Sequence, residues 1–310
     1  MKLKLKKILI AAILVLTMAS TAVSAKEEAV RSGILTYLGT TEGEFQEALD
    51  DLRKALTPLI SEESAKQTWE DYDLLEGFLS ELVRNRRVVR FYDSLMAMQM
   101  ALRSEQIDEI VLPEPVVMYL MAKAPQDYEI QFSLNMMPST ISFGFKRGND
   151  ALKKDFDEAI KAMKKDGTLM TLEEHFINGI SSSDPEEVKF TEFKGAKSIK
   201  VAVTGDLPPI DYIAADGRPT GYNTAILAEI GKRLKRNIRV MSVDAGGRSA
   251  ALASGRADVV FWYRNTEGIK TPKKFGKNLK NVMIDSLSDG ILLSEPYYEW
   301  DTDLIVGKSK

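Results

Sequence analysis

Strand-like and helical segments alternate along this chain, and they do so in two separate series. The first series runs from a strand at Val88–Tyr92 through a helix at Ser94–Leu102 to a second apolar strand at Ile107–Leu112. The second series predicts strands and helices in turn at Ile199–Val203, Tyr222–Leu234, Ile238–Val243, Arg248–Ser254 and Asp258–Trp262. Such alternation is typical of parallel sheets with right-handed crossovers. The sequence therefore predicts an α/β protein built from two units of similar architecture.

Two further segments extend this pattern. Residues Ile34–Leu38 predict a strand, which a Gly39-Thr40-Thr41 turn joins to a helix at Glu44–Ile60. Residues 181–195 contain Ser181-Ser182-Ser183-Asp184-Pro185 and lack a hydrophobic period, which indicates a surface linker.

The first 25 residues have the composition of a secretory signal peptide. An apolar run at Ile8–Ala19 follows four lysines, and Val23-Ser24-Ala25 presents small residues to a signal peptidase. The run is shorter than the roughly 20 residues of a spanning helix. We therefore expect cleavage after Ala25 rather than a retained anchor. Because the chain has no cysteine, we expect a periplasmic or secreted protein without disulfides or a lipid anchor.

Charge and composition exclude several classes of partner. Loss of the four leader lysines changes the net charge from −3 to −7, and such a surface offers nothing broadly basic to a phosphate backbone. We therefore expect no nucleic-acid partner. With one histidine and no thiol, a zinc site is also not expected, and no cofactor is predicted.

Several motifs together resemble the polar-amino-acid-binding family of ABC-transporter solute-binding proteins. They are V-A-V-T-G-D-L-P-P-I-D-Y at 201–212, A-D-G-R-P-T-G-Y-N at 215–223, A-L-A-S-G-R-A-D-V-V at 251–260, S-E-P-Y-Y at 294–298 and K-K-D-G-T-L at 164–169. The resemblance implies an α/β, two-lobed periplasmic-binding-protein fold of type 2, with two hinge strands and one ligand cleft. It also implies a monomer that delivers a small polar solute to an ABC-transporter permease.

The order of these motifs indicates a circular permutation. Ala151–Ile177 resembles the helix pair that ends such proteins, yet it precedes the strand at Ile199 that resembles their beginning. Joining Lys310 to about Gly33 would restore the family order, and permutation at exposed termini is tolerated. The implied boundaries are lobe B at 33–137, completed by a strand at 302–307, lobe A at 146–293, and hinge crossings at 138–145 and 294–301.

Candidate binding residues follow from the rule that open α/β sheets bind ligands outside the carboxyl ends of their strands. In lobe A the loop after the first strand offers Asp206, Asp211 and Tyr212, and a later strand end offers Trp262 and Arg264. Burial in the core is the alternative interpretation of Trp262. In the resemblance, Tyr297 marks a hinge.

Lobe B contributes three candidates. Thr40 and Thr41 stand where a helix begins, and free main-chain amides there favour a carboxylate, although simple capping by Thr40 is an equal alternative. Glu114 stands one residue beyond the position where the family places an aspartate for an α-amino group.

Two departures from the family put an amino-acid ligand in doubt. The family's T-x-x-R motif, whose arginine clamps a carboxylate, is missing after Asp258. Arg248 is either its substitute or a solvated side chain. Asn223 also replaces the aspartate of the family's G-F-D segment.

Three other interpretations stay open at this point. An exported dehydratase-like enzyme on the same fold would use Asp206, Asp211 or Glu114 as acid or base. A sensor or adhesion module would have lost solute binding. Two truncated modules would pair their lobes between chains as a dimer.

Overall fold

The computed structural model describes residues 30–35, 87–134, 139–179, 187–265, 291–300 and 302–309. The predicted signal peptide, the helix at 44–60, and Thr40 and Thr41 lie outside these ranges. No helix within them is long and apolar enough to cross a membrane.

The elements alternate between strands and helices in chain order. They are β1 (Val30–Leu35), β2 (Arg87–Tyr92), α1 (Leu95–Arg103), β3 (Glu109–Pro113), α2 (Glu114–Lys123), β4 (Tyr128–Leu134), β5 (Ser139–Lys146), α3 (Asp150–Asp166), α4 (Thr168–Glu173), a π-helical turn (Glu174–Asn178), β6 (Ser198–Val203), β7 (Asp206–Leu207), β8 (Asp211–Ile213), β9 (Pro219–Thr220), α5 (Tyr222–Leu234), β10 (Asn237–Ser242), α6 (Gly247–Ala253), β11 (Val259–Asn265), β12 (Ile291–Leu293), β13 (Tyr298–Trp300) and β14 (Asp303–Lys308).

Two sheets carry the fold, and their strands follow the same plan. The first has the order β2-β1-β3-β14-β4, and the second has β10-β6-β11-β5-β12. In each, three strands are parallel and a fourth is antiparallel to its neighbours, β14 in the first and β5 in the second. We keep the names lobe B for the first sheet with α1 and α2, and lobe A for the second sheet with α3 to α6. The mixed α/β class predicted from the sequence is confirmed.

The antiparallel strands come from the opposite half of the chain. Strand β5 follows β4 of lobe B yet lies inside the sheet of lobe A, and β14 follows β13 of lobe A yet lies inside the sheet of lobe B. The chain therefore passes between the lobes twice, once between β4 and β5 and once between β13 and β14.

The segment at 138–145, expected to be a crossing, is mostly β5, an interior strand of the lobe A sheet. Ile141, Phe143 and Phe145 are fully buried, and the intervening Thr140 and Ser142 are buried as well. Burial on both faces is typical of a central strand covered on both sides. Likewise β13 pairs with β5 within the segment expected at 294–301. The boundaries of the lobes at 33–137 and 146–293 stay a prediction.

Local chemistry explains where the helices next to the cleft begin and end. The Ser94 hydroxyl accepts a hydrogen bond from the Ala97 amide, so it caps α1, whose buried face includes Leu95, Met98 and Leu102. Helix α3 ends at Gly167, which has φ +82°, a left-handed conformation that glycine adopts without steric cost. The helix predicted at Ser94–Leu102 thus matches α1 to within one residue at each end.

Candidate functional site

The two sheets present corresponding edges to each other. Parallel strands β1, β2 and β3 end at the edge of lobe B where β14 begins, because Asp303 pairs with Pro113. Strands β6, β10 and β11 end at the edge of lobe A where β5 begins, because Asn265 pairs with Ser139. Since the chain passes directly from one edge to the other, the carboxyl ends of both strand sets border a single cleft, the place where such sheets bind ligands.

Asp206 joins the two lobes across this cleft. Its carboxylate Oδ2 accepts a hydrogen bond of 2.9 Å from the main-chain amide of Leu95, the first residue of α1. Asp206 belongs to lobe A and Leu95 to lobe B. The carboxylate therefore occupies the amide-rich N-terminus of a helix, a position that stabilises negative charge.

A pair of tyrosines makes a second contact between the lobes. The ring centroids of Tyr119 in α2 and Tyr212 in β8 are 5.9 Å apart, with the ring planes tilted by 54°, a distance within the range of favourable aromatic pairs. Tyr212 is directly opposite Asp206 in the antiparallel β7–β8 ribbon, and opposed residues place their side chains on the same face. One face of this ribbon therefore supplies both contacts to lobe B.

Glycine at position 205 allows the ribbon to fold back on β6. Gly205 has φ +70°, and an added Cβ would collide with the Ile213 side chain. The Gly205 carbonyl accepts a 2.8 Å hydrogen bond from the Ile213 amide. The turn that positions Asp206 thus depends on a residue without a side chain.

Asp211 lies beneath the ribbon rather than on its cleft face. It is 1% exposed, and its Oδ2 accepts 3.3 Å hydrogen bonds from the Thr204 hydroxyl and the Gly205 amide. Its Oδ1 has no hydrogen-bond partner. Burial, together with the negative charge of Asp206, raises the pKa of Asp211 from 3.8 to about 7, against the lowering effect of the hydrogen bonds from Gly205 and Thr204. This carboxyl group is therefore close to half-protonated at neutral pH.

Arg248 is buried, at 8% exposure, so the solvated alternative is wrong for this residue. Its Nη1 donates to the Phe261 carbonyl at 3.0 Å, and its Nε donates to the Ala245 carbonyl at 3.3 Å. These bonds tie the first turn of α6 to strand β11. The charge of Arg248 also lowers the pKa of Asp211, so the guanidinium lies within electrostatic range of the site.

Tyr297 lies where the chain returns toward lobe B. Its amide donates to the Ile141 carbonyl at 3.0 Å, and its ring stacks on Phe143 with centroids 4.5 Å apart. Its hydroxyl donates to Asn223 Oδ1 at 3.0 Å, while Asn223 Nδ2 has no hydrogen-bond partner. Asn223 in the G-Y-N segment thus anchors the second crossing.

Glu114 opens α2 directly after β3, and its side chain is exposed. Its amide donates to the Thr302 carbonyl at 3.0 Å, which ties the helix start to the second crossing. Trp262 and Arg264 lie in β11, where their backbones pair with Ser142 and Thr140. The side chains of these two residues, and all of Thr40 and Thr41, lie outside the described part.

Two residues of lobe B and two at the second crossing take part in these contacts but were not predicted from the sequence. Leu95 contributes only its amide, and Tyr119 belongs to a helix that was not predicted. At the crossing, Trp300 Nε1 donates to Asp303 Oδ1 at 3.0 Å, and burial raises the pKa of Asp303 to about 6. The signal available for Asp303 was an acid at the start of a strand-like D-L-I-V run.

The lone histidine takes no part in this site. His175 is exposed in the π-helical turn that follows α4. Within the described ranges no group of three or more histidine, cysteine or acidic side chains could hold a metal ion.

The described structure thus consists of two α/β lobes with the same strand plan, which two crossings connect and one cleft separates. Residues 199–267 match the family model of bacterial extracellular solute-binding proteins, family 3. The match begins at β6 and covers the Asp206–Tyr212 loop, so the resemblance predicted from the sequence is confirmed over this segment. No curated protein matches the sequence.

Solved structures that are similar to this chain include binding proteins and an enzyme complex. A zinc-bound ligand-binding component of an ABC-type import system from Staphylococcus aureus is 10% identical, with 91% of this chain and 67% of that chain covered and a TM-score of 0.37. A methionine-bound nutrient binding protein from Burkholderia cenocepacia is 10% identical, with coverages of 91% and 85% and a TM-score of 0.36. An ATP phosphoribosyl transferase complex from Thermotoga maritima is 10% identical, with coverages of 90% and 88% and a TM-score of 0.30.

Proposed function

We propose that this chain is an exported, circularly permuted solute-binding protein that captures a small polar solute for ABC-transporter uptake. The solute would be an amino acid or a related small carboxylate or amine, and the closed protein would dock on the transporter permease. The observation that carries the proposal is the pair of contacts, Asp206 with Leu95 and Tyr212 with Tyr119, that one loop of lobe A makes across the cleft. A cleft bridged in this way is suited to closure around a ligand.

The permutation is supported by the position of the exchanged strands. The family match begins at β6, the first strand of lobe A in the plan shared by both sheets. Strand β5 and helices α3 and α4 belong to the same lobe but precede β6 in the chain. Rejoining the ends near Lys310 and Gly33 would place these elements after lobe B and at the end of the chain, as in the family.

The site residues divide between the two sides. Asp206 and Tyr212 lie on the cleft face of the β7–β8 ribbon, and Glu114 lies at the opposite edge. Asp211 and Arg248 support that loop from behind. We propose that Trp262 and Arg264 of lobe A and Thr40 and Thr41 of lobe B complete the cleft.

The arrangement of the two aspartates favours binding over catalysis. An acid and base pair must reach the same substrate, but Asp206 lies on the cleft face while Asp211 is buried beneath the ribbon. We therefore propose that the protein performs no chemistry on its solute.

Ligand-induced stabilisation tests the proposal. The purified chain is heated with single amino acids, small carboxylates and small amines. A ligand at 100 times its Kd adds about 2.7 kcal/mol to the free energy of unfolding, so a true solute raises the melting temperature by several degrees. Mass spectrometry of small molecules released from the denatured protein supplies an independent identification. A flat thermal response across the panel, together with no released solute, contradicts the proposal.

A further inference from the structure

We propose that lobe A carries a basic face, at the end opposite the cleft, that binds reversibly to the anionic headgroups of a lipid bilayer. This inference rests on the proposed function, since an uptake protein works beside a membrane, and it assigns a surface that the solute site does not use. We call this surface the basic pole, and it is formed by the exposed side chains of Lys146, Arg147, Lys194, Lys197, Lys235 and Arg256.

Four neighbouring strands bring these cations to one edge of the lobe A sheet. In the order β10-β6-β11-β5, the three parallel strands begin at the edge opposite the cleft, and antiparallel β5 ends there. The basic residues beside these strand ends are, in the same order, Lys235, then Lys194 and Lys197, then Arg256, then Lys146 and Arg147. Since neighbouring strands lie about 4.8 Å apart, the row extends over roughly 15 Å.

Hydrogen bonds hold these strand starts side by side. Arg236 Nε, just before β10, donates to the carbonyl of Lys197, just before β6, at 3.1 Å. The amide of Asp258, just before β11, donates to the Lys200 carbonyl of β6 at 2.7 Å, and Lys200 Nζ donates to the Gly255 carbonyl at 2.7 Å. The basic residues beside these bonds therefore belong to one continuous surface.

The cations of the basic pole form no ion pair with any residue that the structure describes. Acidic groups near the pole are already engaged, in the ion pairs Glu192–Arg239 and Asp166–Arg233 and in a 2.8 Å bond from the Lys200 amide to Asp258 Oδ2. Asp150 lies in the first turn of α3, where the helix dipole stabilises its negative charge. The positive charge of the pole therefore exceeds the acidic charge around it.

The corresponding edge of lobe B has a different distribution of charge. Its basic residues are paired with carboxylates, in the ion pairs Arg31–Asp108, Arg103–Asp127 and Lys308–Glu105. The two sheets follow the same strand plan. Unpaired cations at this edge are therefore not a requirement of the fold but a property of lobe A.

Helix ends account for only part of this charge. Helices α5 and α6 end at the same edge, and cations are stabilised near a helix C-terminus. Lys235 caps α5, and Lys146 Nζ donates to the Ala253 carbonyl at the end of α6 at 2.8 Å. Lys194 and Lys197 lie instead in the segment that leads into β6 and belong to no helix end, so the described fold has no structural use for their ammonium groups.

An extended anionic surface is the partner that this row of cations fits. The side chains come from separate strand ends and all are exposed, so they suit many spaced negative charges, as on a bilayer, rather than one enclosed anion. Each such side chain near an anionic bilayer strengthens binding about fivefold. The net charge of −3 becomes −7 without the four leader lysines, so repulsion of the other faces turns the basic pole toward the lipid.

Binding through the basic pole leaves the solute site open. The strands that begin at the pole end at the cleft, so a protein whose pole lies on a bilayer directs its cleft toward the solution. Solute capture then takes place close to the membrane. Because the contact is electrostatic, salt screens it and it stays reversible, as a protein that must move to a permease requires.

Co-sedimentation with vesicles tests the basic pole. The chain expected after cleavage, Lys26–Lys310, is used, because the leader lysines would themselves bind an anionic bilayer. Its partition coefficient is measured on vesicles of equimolar phosphatidylcholine and phosphatidylglycerol, and on vesicles of phosphatidylcholine alone. We expect binding to the mixed vesicles only, and a progressive loss of that binding as the salt concentration is raised.

Two double variants with the same net charge locate the surface. Lys197→Gln with Arg256→Gln removes two cations of the basic pole, and partition onto the mixed vesicles should fall roughly 25-fold. Arg103→Gln with Lys308→Gln removes two cations from the corresponding edge of lobe B, where both are paired, and partition should change less than about threefold. Unchanged far-ultraviolet circular dichroism confirms that each variant is folded.

The outcomes distinguish this inference from the function on which it rests. Equal losses in the two double variants overturn the inference, since net charge rather than the basic pole would then govern binding. Equal binding to both kinds of vesicle overturns it, as does binding to soluble polyphosphate without binding to the mixed vesicles. If no vesicle binds while the thermal panel finds a solute, the inference fails and the solute-binding function stands. If the mixed vesicles bind as expected while the panel is flat and no solute is released, the proposed function fails and the basic pole stands as a membrane contact.

Discussion

The Asp206 carboxylate accepts a hydrogen bond from the Leu95 amide across the cleft, and this 2.9 Å contact joins a loop of lobe A to the first turn of a helix in lobe B. The contact is partly buried and uses an ionisable group at a helix N-terminus, where a hydrogen bond to a charged group contributes about 1.5–3 kcal/mol. Asp206 therefore stabilises the arrangement in which the two lobes contact each other.

Replacing Asp206 with alanine should open the ligand-free protein. The variant loses its hydrogen bond to Leu95, so the closed population falls, and small-angle X-ray scattering should give a larger radius of gyration. Glu158→Gln is the matched control, because it removes one acidic charge from an exposed face of α3 in the same lobe. If the radius of gyration of Asp206→Ala equals those of the wild type and the control, the hydrogen bond does not hold the lobes together.

Because of Asp211, the protein should become less stable as the pH rises, which is the opposite of the effect of a carboxyl group whose pKa is lowered by folding. Its pKa is raised from 3.8 to about 7 in the folded protein, so between pH 4 and 7 the folded state keeps a proton that the unfolded state releases. Stability therefore falls as pH rises through this window and levels off above it. Asp211→Asn removes this titration, so relative to the wild type the variant should gain roughly 2–4 kcal/mol between pH 4 and 8.

Urea unfolding of both proteins at several pH values measures this difference. Taking the variant minus the wild type cancels the contribution of other titrating groups, including Asp303. A difference that does not change with pH would show that Asp211 ionises normally in the folded state.

Gly205→Ala should destabilise the protein more than the same change at Gly217. Both glycines have positive φ, but a Cβ at Gly205 meets the Ile213 side chain, whereas a Cβ at Gly217 meets no atom within 4 Å. Gly217→Ala, the control, should therefore lose only the free energy of the backbone strain, about 1 kcal/mol. Gly205→Ala adds a steric collision to the same strain. We expect the free energy of unfolding of Gly205→Ala to be at least ~1 kcal/mol lower than that of Gly217→Ala. Equal losses in the two variants would mean that the loop relaxes freely around the added methyl group.

Tyr297→Phe should destabilise the second crossing while preserving its packing. The change removes the 3.0 Å bond from the tyrosine hydroxyl to Asn223 Oδ1 and keeps the ring on Phe143. Because Asn223 is fully buried, its carbonyl oxygen would be left unsatisfied, at a cost of about 1–3 kcal/mol. Denaturant unfolding measures the loss. The double variant Tyr297→Phe with Asn223→Ala should lose less than the sum of the two single changes, and strict additivity would argue against this bond.

Local features of the fold could be predicted from the sequence because their causes are local. The cap at Ser94, the α3 terminus at Gly167 and the helix at Tyr222–Leu234 all depend on residues within a few positions of each other. The burial of strand β5 was harder to predict. Its sequence, T-I-S-F-G-F, alternates polar and apolar residues, which is the pattern of a half-exposed strand. Its threonine and serine are buried because elements distant in the chain cover both faces.

The candidate site was predictable only in part. The loop carrying Asp206, Asp211 and Tyr212 follows from the motif and the strand-end rule, but which side chain faces the cleft depends on the two-residue register of the β7–β8 ribbon. The partners on lobe B, the Leu95 amide and the Tyr119 ring, are 111 and 93 positions from Asp206 and Tyr212 in the chain. No local pattern marks them, since a main-chain amide has no residue signature.

The two short crossings restrict how the lobes can move. Four residues separate β4 from β5, and two separate β13 from β14, and both connections join the same pair of sheet edges. Sliding one sheet past the other would stretch both connections at once, whereas rotation about the line through them changes neither length. The two connections therefore favour rotation of the lobes about the line that joins them over translation of one sheet along the other.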